Sequence, residues 1–357
     1  PNVVFREAKI TDALRVKRLA KRNGLTGEIS INAWDWLWNE NPAYDAKWPI
    51  GWVLENSQNQ ELVGYIGNVP RKYVMKGGAI RVACARAFMV DIAFRRHALK
   101  LIAAFFKQEA IDLYIFTGVN ILAAPLYQLA GAKRMPQLEF NNALYWIVSA
   151  PGLIKAVLLK RGIPKFLAEM FSYPVGLSMN LLQLVTNMRP LNVRNGLSIL
   201  EIQPQNIGQD FDDFWRRWYT NENEFLSADR SSALLKWQFA HAGIPAENKT
   251  IFITVWENSI LMGYLVLARR DSDAFGLKRL MVRDLVVIDN RADLVHELMK
   301  ATIKYAKSAK VHLLQVVGLP KSVRRGLEDM MPRYHLFDDS SFLYFSNSRL
   351  IQFPIEH

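Results

Sequence analysis

The chain repeats one order of predicted helices and strands, and this internal repeat constrains its fold more than any other feature. The repeated segments are Val53-Leu-Glu-Asn56 with Val255-Trp-Glu-Asn258, and Leu62-Val-Gly-Tyr65 with Leu261-Met-Gly-Tyr264. Gly64 precedes Asn120 by 56 residues, and Gly263 precedes Gly318 by 55, so the spacing is also repeated. Matching order and spacing of several elements is typical of a duplicated domain.

Hydrophobic periodicity and turn residues predict nearly the same elements in both halves. In the first half these are strand Val3–Phe5, a helix from Thr11, helix Ile31–Asn39, strands Gly51–Glu55, Leu62–Pro70 and Ile80–Asp91, helix Arg95–Glu109, strand Asp112–Phe116, helix Ile121–Leu129 and strand Asn142–Val148. In the second half they are strand Ile199–Ile202, helices Asp210–Thr220 and Ser231–Phe239, strands Thr250–Trp256, Ile260–Ala268 and Leu280–Val287, helix Asp293–Ser308, strand His312–Val316, helix Lys321–Glu328 and strand Phe342–Phe345. We therefore predict an α/β (α+β) fold with tandem domains at residues 1–150 and 198–357, joined by a helical connector at 151–197. Each domain is predicted to be a mixed, mostly antiparallel sheet flanked by helices.

Composition narrows the function classes. The 357 residues suffice for two hydrophobic cores, and the single cysteine, Cys84, excludes an intramolecular disulfide. The six histidines show no ligand spacing, so we predict no metal site. A net charge of +12 suits an anionic partner such as a phosphate-bearing cofactor, nucleic acid or a membrane surface, although many basic proteins bind no polyanion. The N-terminal residues show no signal peptide, and we predict a cytoplasmic protein.

The connector is the most apolar part of the chain. Its segment Phe166–Met188 is interrupted by Glu169, Pro174 and Gly176, so it predicts broken amphipathic helices and no spanning helix. Peripheral membrane contact through residues 151–190 and burial between the two domains both remain open.

A predicted strand, turn and helix start carry a cluster of positive charge in the first half. The cationic residues there are Arg95, Arg96, His97 and Lys100. Backbone N–H groups and the dipole at the start of a helix favour a phosphate group. An ordinary solvated helix end would show the same residues.

Asn120 follows the next predicted strand, and Tyr127 and Gly131 come after it at spacings of seven and four residues. With this motif and its element order, the first half resembles the GNAT acetyltransferase superfamily. The second half resembles it through element order and the internal repeat alone. The resemblance departs from the family motif at Ala98 and Lys100, which stand where the family has a glycine and a small residue.

The resemblance implies an acyl-CoA site between the fourth and fifth strands, and a methyl group at position 98 would crowd it. Tyr127 would donate a proton to the leaving CoA thiolate. The cofactor-binding residues implied in this way are Phe88, Met89, Val90, Arg95, Arg96, His97, Ala98, Leu99, Lys100 and Asn120. Asp35, Glu40 and Asp91 are equal candidates for the base. Trp34, Trp36, Trp38 and Trp48 lie on the acceptor side, where sugar stacking or core packing would use them.

The second half lacks the motif. Its turn after Val287 carries Asp289 and Asp293, and the position seven residues after Gly318 is Arg325 rather than tyrosine. We predict that this copy is degenerate and has lost its cofactor site.

We predict an N-acyltransferase that uses acetyl-CoA, or a related acyl-CoA, and a small-molecule amine, with an amino sugar as the first acceptor to consider. An alternative is an aminoacyl transferase similar to the Fem and lysyl-phosphatidylglycerol synthase types, in which the basic connector would meet tRNA or lipid. A non-catalytic binding protein is the third possibility.

Overall fold

The computed structural model describes residues 2–25, 31–75, 78–119, 122–136, 140, 142–172, 174, 196–221, 226–240, 250–336 and 342–347. The strands are β1 Val3–Glu7, β2 Gly51–Asn56, β3 Leu62–Met75, β4 Gly78–Val90, β5 Leu113–Phe116, β6 Lys133–Arg134, β7 Asn142–Ile147, β8 Leu197–Ile202, β9 Ser227–Ala228, β10 Thr250–Glu257, β11 Ile260–Arg269, β12 Arg279–Val287, β13 Leu313–Val316, β14 Arg333–Leu336 and β15 Leu343–Ser346. The helices are α1 Ala13–Arg22, α2 Ile31–Leu37, α3 Ala98–Phe106, α4 Ala124–Leu129, α5 Ala150–Lys160, α6 at 165–172, α7 Gln209–Asn221, α8 Ser232–Phe239, α9 Ala292–Ser308 and α10 Lys321–Arg325.

The strands form two sheets, one in each of two compact units. The first unit comprises residues 1–136, 223–237 and 338–357, and its sheet has the order β1-β2-β3-β4-β5-β15-β6, with β9 beside β3. The second unit comprises residues 137–222 and 238–337, and its sheet has the order β14-β7-β13-β12-β11-β10-β8. Only the pairs β4–β5 and β12–β13 are parallel among the described strands. Both sheets are therefore mixed and mostly antiparallel, as the sequence predicts.

The two units interleave along the chain, whereas the sequence predicts consecutive domains at 1–150 and 198–357. Strand β7, predicted as the last strand of the first domain, pairs with β13 and β14 in the second sheet. Strand β15 in turn pairs with β5 and β6 in the first sheet. Both strands are short and apolar, and the choice of a partner strand depends on residues far away in the chain.

The same irregularities recur in both sheets and confirm the duplication. β4 has one extra residue between Tyr65 and Gly67 of β3, and β12 has one extra residue between Val266 and Leu267 of β11. Such bulges bend a strand and end its pairing on one side. Each bulge follows the end of the parallel ladder, at Ala85 in the first sheet and at Val282 in the second.

The sheet register corrects one of the two sequence matches. Gly64 pairs with Leu54 and Gly263 pairs with Val255, so Leu54, and not Val53, is the counterpart of Val255. The hairpin that ends at Leu62 is two residues longer than the one that ends at Leu261. The predicted match of Leu62–Tyr65 with Leu261–Tyr264 agrees with the register.

The first sheet is covered on both faces. Helices α3 and α4 pack on one face, over a cluster that includes Trp52, Ile66 and Phe116. Helices α1 and α2 pack on the other, over a cluster that includes Val53, Tyr65 and Val69. In the second unit α9 lies along β10 to β13 and α7 packs on β11.

The connector begins as two helices, α5 and α6, joined by an ion pair between Lys155 Nζ and Glu169 Oε1 at 2.6 Å. Most of its remaining predicted part, 173 and 175–195, lies outside the described residues. Among the helices that the structure describes, none is long and apolar enough to cross a membrane.

Candidate active site in the first unit

Strands β4 and β5 separate in the middle of the first sheet. Their parallel ladder runs from Val82–Leu113 to Ala85–Phe116 and stops there. β4 continues to Val90, bent by the bulge at Ala87, whose backbone has a φ of 52°. β5 ends at Phe116, and Gly118 turns the chain away with a φ of 65°, a conformation that favours glycine. The two strands therefore diverge and leave one edge of β4 open.

The predicted β4 residues lie along this divergent stretch. Met89 pairs with Tyr65 and Val90 with Gly64, so both are held by β3 on the far side of the gap. Met89 and Val90 are buried, while Phe88 is half-buried beside α4. Their backbone groups facing β5 have no strand partner in the described part of the chain, which leaves them available to an extended ligand.

The turn after β4 gathers positive charge. Residues Ile92–His97 form a 3-10 helix that leads directly into α3, where the sequence predicted one helix from Arg95 to Glu109. Arg95, Arg96 and Lys100 are exposed, and Arg96 Nε lies 3.1 Å from His97 Nε2. These side chains surround the start of a nine-residue helix, a place that favours an anionic group.

Ala98 and Leu99 occupy opposite environments on α3. The Ala98 methyl group is buried in the cluster beneath α3, with Leu101 and Ile102. It packs in the core, and the crowding of a phosphate by this methyl group stays a prediction. Leu99 is exposed beside Lys100.

Tyr127 lies across the opening between the two strands. Its ring centroid is 4.5 Å from that of Phe116, at the end of β5, and 5.6 Å from that of Phe88, on β4 beyond the bulge. The side chain is only 3% exposed. Burial raises the pKa of the Tyr127 phenol well above its ordinary value, so the hydroxyl stays protonated at neutral pH. Asn120, predicted to bind the cofactor arm, lies outside the described residues.

The three carboxylates proposed as bases are not equivalent. Asp91 accepts hydrogen bonds from Arg22 Nη2 at 2.9 Å and from Asn23 Nδ2 at 2.8 Å. Asp35 accepts one from Asn39 Nδ2 at 2.9 Å, and Glu40 is exposed. Through these two hydrogen bonds, Asp91 connects the end of α1 to the end of β4.

The face of β4 towards α2 carries a group that sequence reasoning missed. Arg86 follows the last β4–β5 pair and lines a small hollow with Trp34, Tyr65 and Ala87. The side-chain atoms Trp34 Nε1 and Arg86 Nε are buried there without a hydrogen-bond partner. The only signal in the sequence is an arginine within the apolar strand Ile80–Asp91.

The corresponding turn of the second unit is differently built. Asp289 and Asn290 have φ values of 51° and 49°, and Arg291 is paired with Asp293 at 2.7 Å and with Glu257 at 2.9 Å. Acidic groups thus occupy the place that Arg95 and Arg96 have in the first unit. Arg325, predicted to stand in the place of the tyrosine, ends the short helix α10.

No protein-family model matches the sequence, and no curated protein matches it. Solved structures do match it over nearly its whole length. A GCN5-related N-acetyltransferase from Anabaena variabilis has a TM-score of 0.58 at 11% identity, covering 96% of this chain and 72% of that one. A probable N-acyltransferase from Enterococcus faecalis has a TM-score of 0.59 at 9% identity, covering 97% and 73%. The N-myristoyltransferase of Saccharomyces cerevisiae, solved with myristoyl-CoA, has a TM-score of 0.54 at 12% identity, covering 96% and 77%.

These likenesses extend across both sheets and agree with the duplicated order of elements. The chain therefore has the fold of the GCN5-related N-acetyltransferase superfamily, as its motif around Tyr127 predicts. Two mixed sheets flanked by helices carry that fold.

Proposed function

We propose that the protein is an N-acyltransferase whose first unit binds an acyl-CoA in the gap between β4 and β5. The observation that carries the proposal is Tyr127, buried between Phe88 and Phe116 where the two strands diverge. The three solved structures named above, all acyltransferases by name, support the same reaction class.

The donor would lie along the open edge of β4. The backbone of Phe88 to Val90 would pair with the amide groups of its extended arm, as an added strand does. The phosphates would meet Arg95, Arg96, His97 and Lys100 at the start of α3. Asn120 is proposed to bind the same arm.

The acyl transfer would form one bond and break another. The nitrogen of a neutral amine attacks the thioester carbonyl, and the carbon–sulfur bond breaks as the amide forms. Tyr127 Oη gives its proton to the departing sulfur. The proton lost by the amine passes through solvent or a base and reprotonates the Tyr127 oxygen. Burial raises the pKa of a thiol as it does that of a phenol, so a thiolate left in this dry gap favours protonation.

The acceptor is proposed to be a small-molecule amine, and acetyl-CoA is the first donor to test. Amino sugars remain in the acceptor screen, because indoles near α2 were predicted on the acceptor side, where they could stack on a sugar ring. However, Trp38 Nε1 and Trp48 Nε1 both donate to the Asn68 carbonyl, at 3.1 and 3.0 Å, so these two indoles are core groups. Use of acyl-CoA is consistent with the cytoplasmic location predicted from the sequence.

Aminoacyl transfer from tRNA has less support. Lys155, one of the basic residues that would meet a polyanion, is paired with Glu169. The degenerate turn of the second unit, with Arg291 paired twice, supports a single donor site in each chain.

The test is isothermal titration of acetyl-CoA and CoA into the full chain at low and moderate salt. One site per chain is expected, with weaker binding at the higher salt because phosphates are involved. Two sites would contradict the degenerate second unit. No binding at either salt would overturn the proposed function and favour tRNA or a non-catalytic role.

A further inference from the structure

The hollow beneath α2 lies wholly within the first unit. Its lining consists of Ala33, Trp34, Leu37, Trp38, Tyr65, Arg86 and Ala87. It has room for about one water molecule, so only the end of a polar group fits inside. No carboxylate is among the lining residues.

Two of the lining residues each carry a buried hydrogen-bond donor without a partner. Trp34 is 2% exposed, and its Nε1 has no partner, nor has Arg86 Nε. Six other indole N–H groups in the described part of the chain are paired. These are Trp36, Trp38, Trp48, Trp146, Trp237 and Trp256. An unpaired buried donor costs about 1–3 kcal/mol, so two such donors in one hollow indicate a missing acceptor.

The nearby carboxylates are committed elsewhere. Asp12 and Glu55 are paired with Arg6 and Arg15, and Asp91 with Arg22. Arg86 forms no ion pair in the part of the chain that the structure describes. A half-buried guanidinium beside a neutral donor therefore lacks a counter-ion.

Gly67, which pairs with Arg86 in the sheet, is closely surrounded. A side chain at Gly67 would place its Cβ 2.6 Å from Tyr65 Oη and 2.9 Å from the Arg86 carbonyl oxygen. Glycine at 67 thus lets the Tyr65 ring lie against the strand. Tyr65 is also among the lining residues, and burial raises the pKa of its phenol, so its hydroxyl is a neutral donor.

The hollow also stands at the right place for a reacting molecule. Arg86 follows Ala85, whose pair with Phe116 is the last before β4 and β5 diverge. Phe88 packs towards Tyr127 in the cluster beneath α3 and α4, whereas Ala87 packs in the cluster beneath α1 and α2. The hollow at Arg86 and the ring of Tyr127 therefore lie on opposite faces of the first sheet, beside the same short stretch of β4.

We propose that Arg86 and Trp34 bind a carboxylate of the acyl acceptor, so that the acceptor is an amine of the amino-acid type. One carboxylate oxygen would accept from Trp34 Nε1 and Arg86 Nε, and the rest of the acceptor would extend towards the gap. This inference rests on the acyl transfer proposed above and specifies its acceptor.

The experiment compares amino acids with their amides, for example L-alanine with L-alaninamide, for each of the common side chains. Glucosamine is included as an amine without a carboxylate. CoA release is measured in the full chain with acetyl-CoA as donor. We expect the acids to be used and the Arg86→Gln and Trp34→Phe variants to raise KM for the acid by about 10- to 100-fold. The loss of kcat/KM for the amide should be much smaller than the loss for the acid.

Trp36→Phe is the matched control, because its indole is paired with the Trp237 carbonyl and lies on the same helix. It should leave the acid-to-amide ratio unchanged. Equal use of acids and amides, or variants that affect both equally, would overturn the inference and indicate that the hollow holds only a water molecule. Acetyl-CoA titration in each variant separates this failure from failure of the proposed function, since binding of the donor does not involve Arg86.

Discussion

Trp36 and Trp237 are stacked at a centroid distance of 5.0 Å, and each indole N–H donates to the backbone carbonyl of the other residue at 2.6 Å. The guanidinium of Arg71 lies 4.5 Å from the centroid of the Trp237 ring. Trp237 belongs to a segment, 223–237, that comes from the second half of the sequence and completes the first unit. The pair therefore fixes that segment on α2.

The reciprocal bonds predict measurable coupling between the two residues. Trp36→Phe and Trp237→Phe should each lower the free energy of unfolding by about 1–2 kcal/mol, because each removes one hydrogen bond and leaves a carbonyl unpaired. In a double-mutant cycle by urea denaturation, the coupling should be about 0.5–1.5 kcal/mol. Strict additivity would contradict the pairing.

Tyr127→Phe should lower kcat by about 100-fold while leaving the affinity for CoA unchanged, because only the proton donor is lost. Stopped-assay kinetics and calorimetry measure the two quantities. Tyr114→Phe is the control: its hydroxyl donates to the Phe106 and Gln108 carbonyls at 3.2 Å, away from the gap. That variant should lose about 1 kcal/mol of stability and no activity. Full activity in Tyr127→Phe would exclude the acid role.

The basic turn should contribute to donor affinity through the phosphates alone. Arg95→Ala combined with Lys100→Ala should weaken CoA binding by about 10- to 100-fold and flatten its salt dependence. Binding of S-acetylpantetheine, which lacks phosphate, should not change. Lys17→Ala with Arg18→Ala removes the same charge from exposed positions on α1 and should have no effect. An equal loss in both double variants would show that only net charge matters.

Asp12 should stabilise the first unit at neutral pH and lose this effect in acid. It accepts hydrogen bonds from Arg6 Nη1 at 2.7 Å and Arg15 Nη1 at 3.0 Å. Burial alone would raise the pKa of Asp12, but the hydrogen bonds from Arg6 and the Lys9 N–H, with the charges of Arg6 and Arg15, lower it below its ordinary value. A lowered folded pKa means that the contribution is complete above the unfolded pKa of about 3.9 and is lost as pH falls through the folded value.

Asp12→Asn should therefore destabilise the protein by about 3 kcal/mol at pH 7, with the difference from the unsubstituted chain shrinking below about pH 4. Urea denaturation at a series of pH values measures it. Asp45→Asn is the control, since Asp45 is exposed and its oxygen lies 3.9 Å from Arg81. A difference that grows in acid would mean that the pKa of Asp12 is raised, not lowered, on folding.

Leu343 connects a late strand of the chain to the candidate site. It pairs with Phe116 on one side and Arg134 on the other, and it is 1% exposed. Leu343→Ala should cost about 2–5 kcal/mol and increase hydrogen exchange in β5. Leu336→Ala, at a position 68% exposed, should change stability by less than about 0.5 kcal/mol. Unchanged exchange in β5 would show that β15 does not support it.

Local patterns predicted most elements of this fold, because both sheets alternate with amphipathic helices whose ends are marked by turn residues. Strand β5, predicted at Asp112–Phe116, is found at Leu113–Phe116, and Tyr127 lies on the predicted helix. Strand β7 was assigned to the first domain, but it pairs with β13 and β14, because pairing depends on distant strands. The unpaired donors of Trp34 and Arg86 could not be predicted either, since a missing partner becomes visible only when the surrounding side chains are in place.

The crossed positions of β7 and β15 have a consequence for synthesis. A ribosome completes β5 more than two hundred residues before Leu343–Ser346, the strand that covers its edge. During that interval the edge next to the candidate active site is exposed, and it resembles an unpaired strand able to join another chain. The sheet beside the candidate site would therefore be completed only after residues 343–346 have emerged, late in translation rather than when the first half of the chain is made.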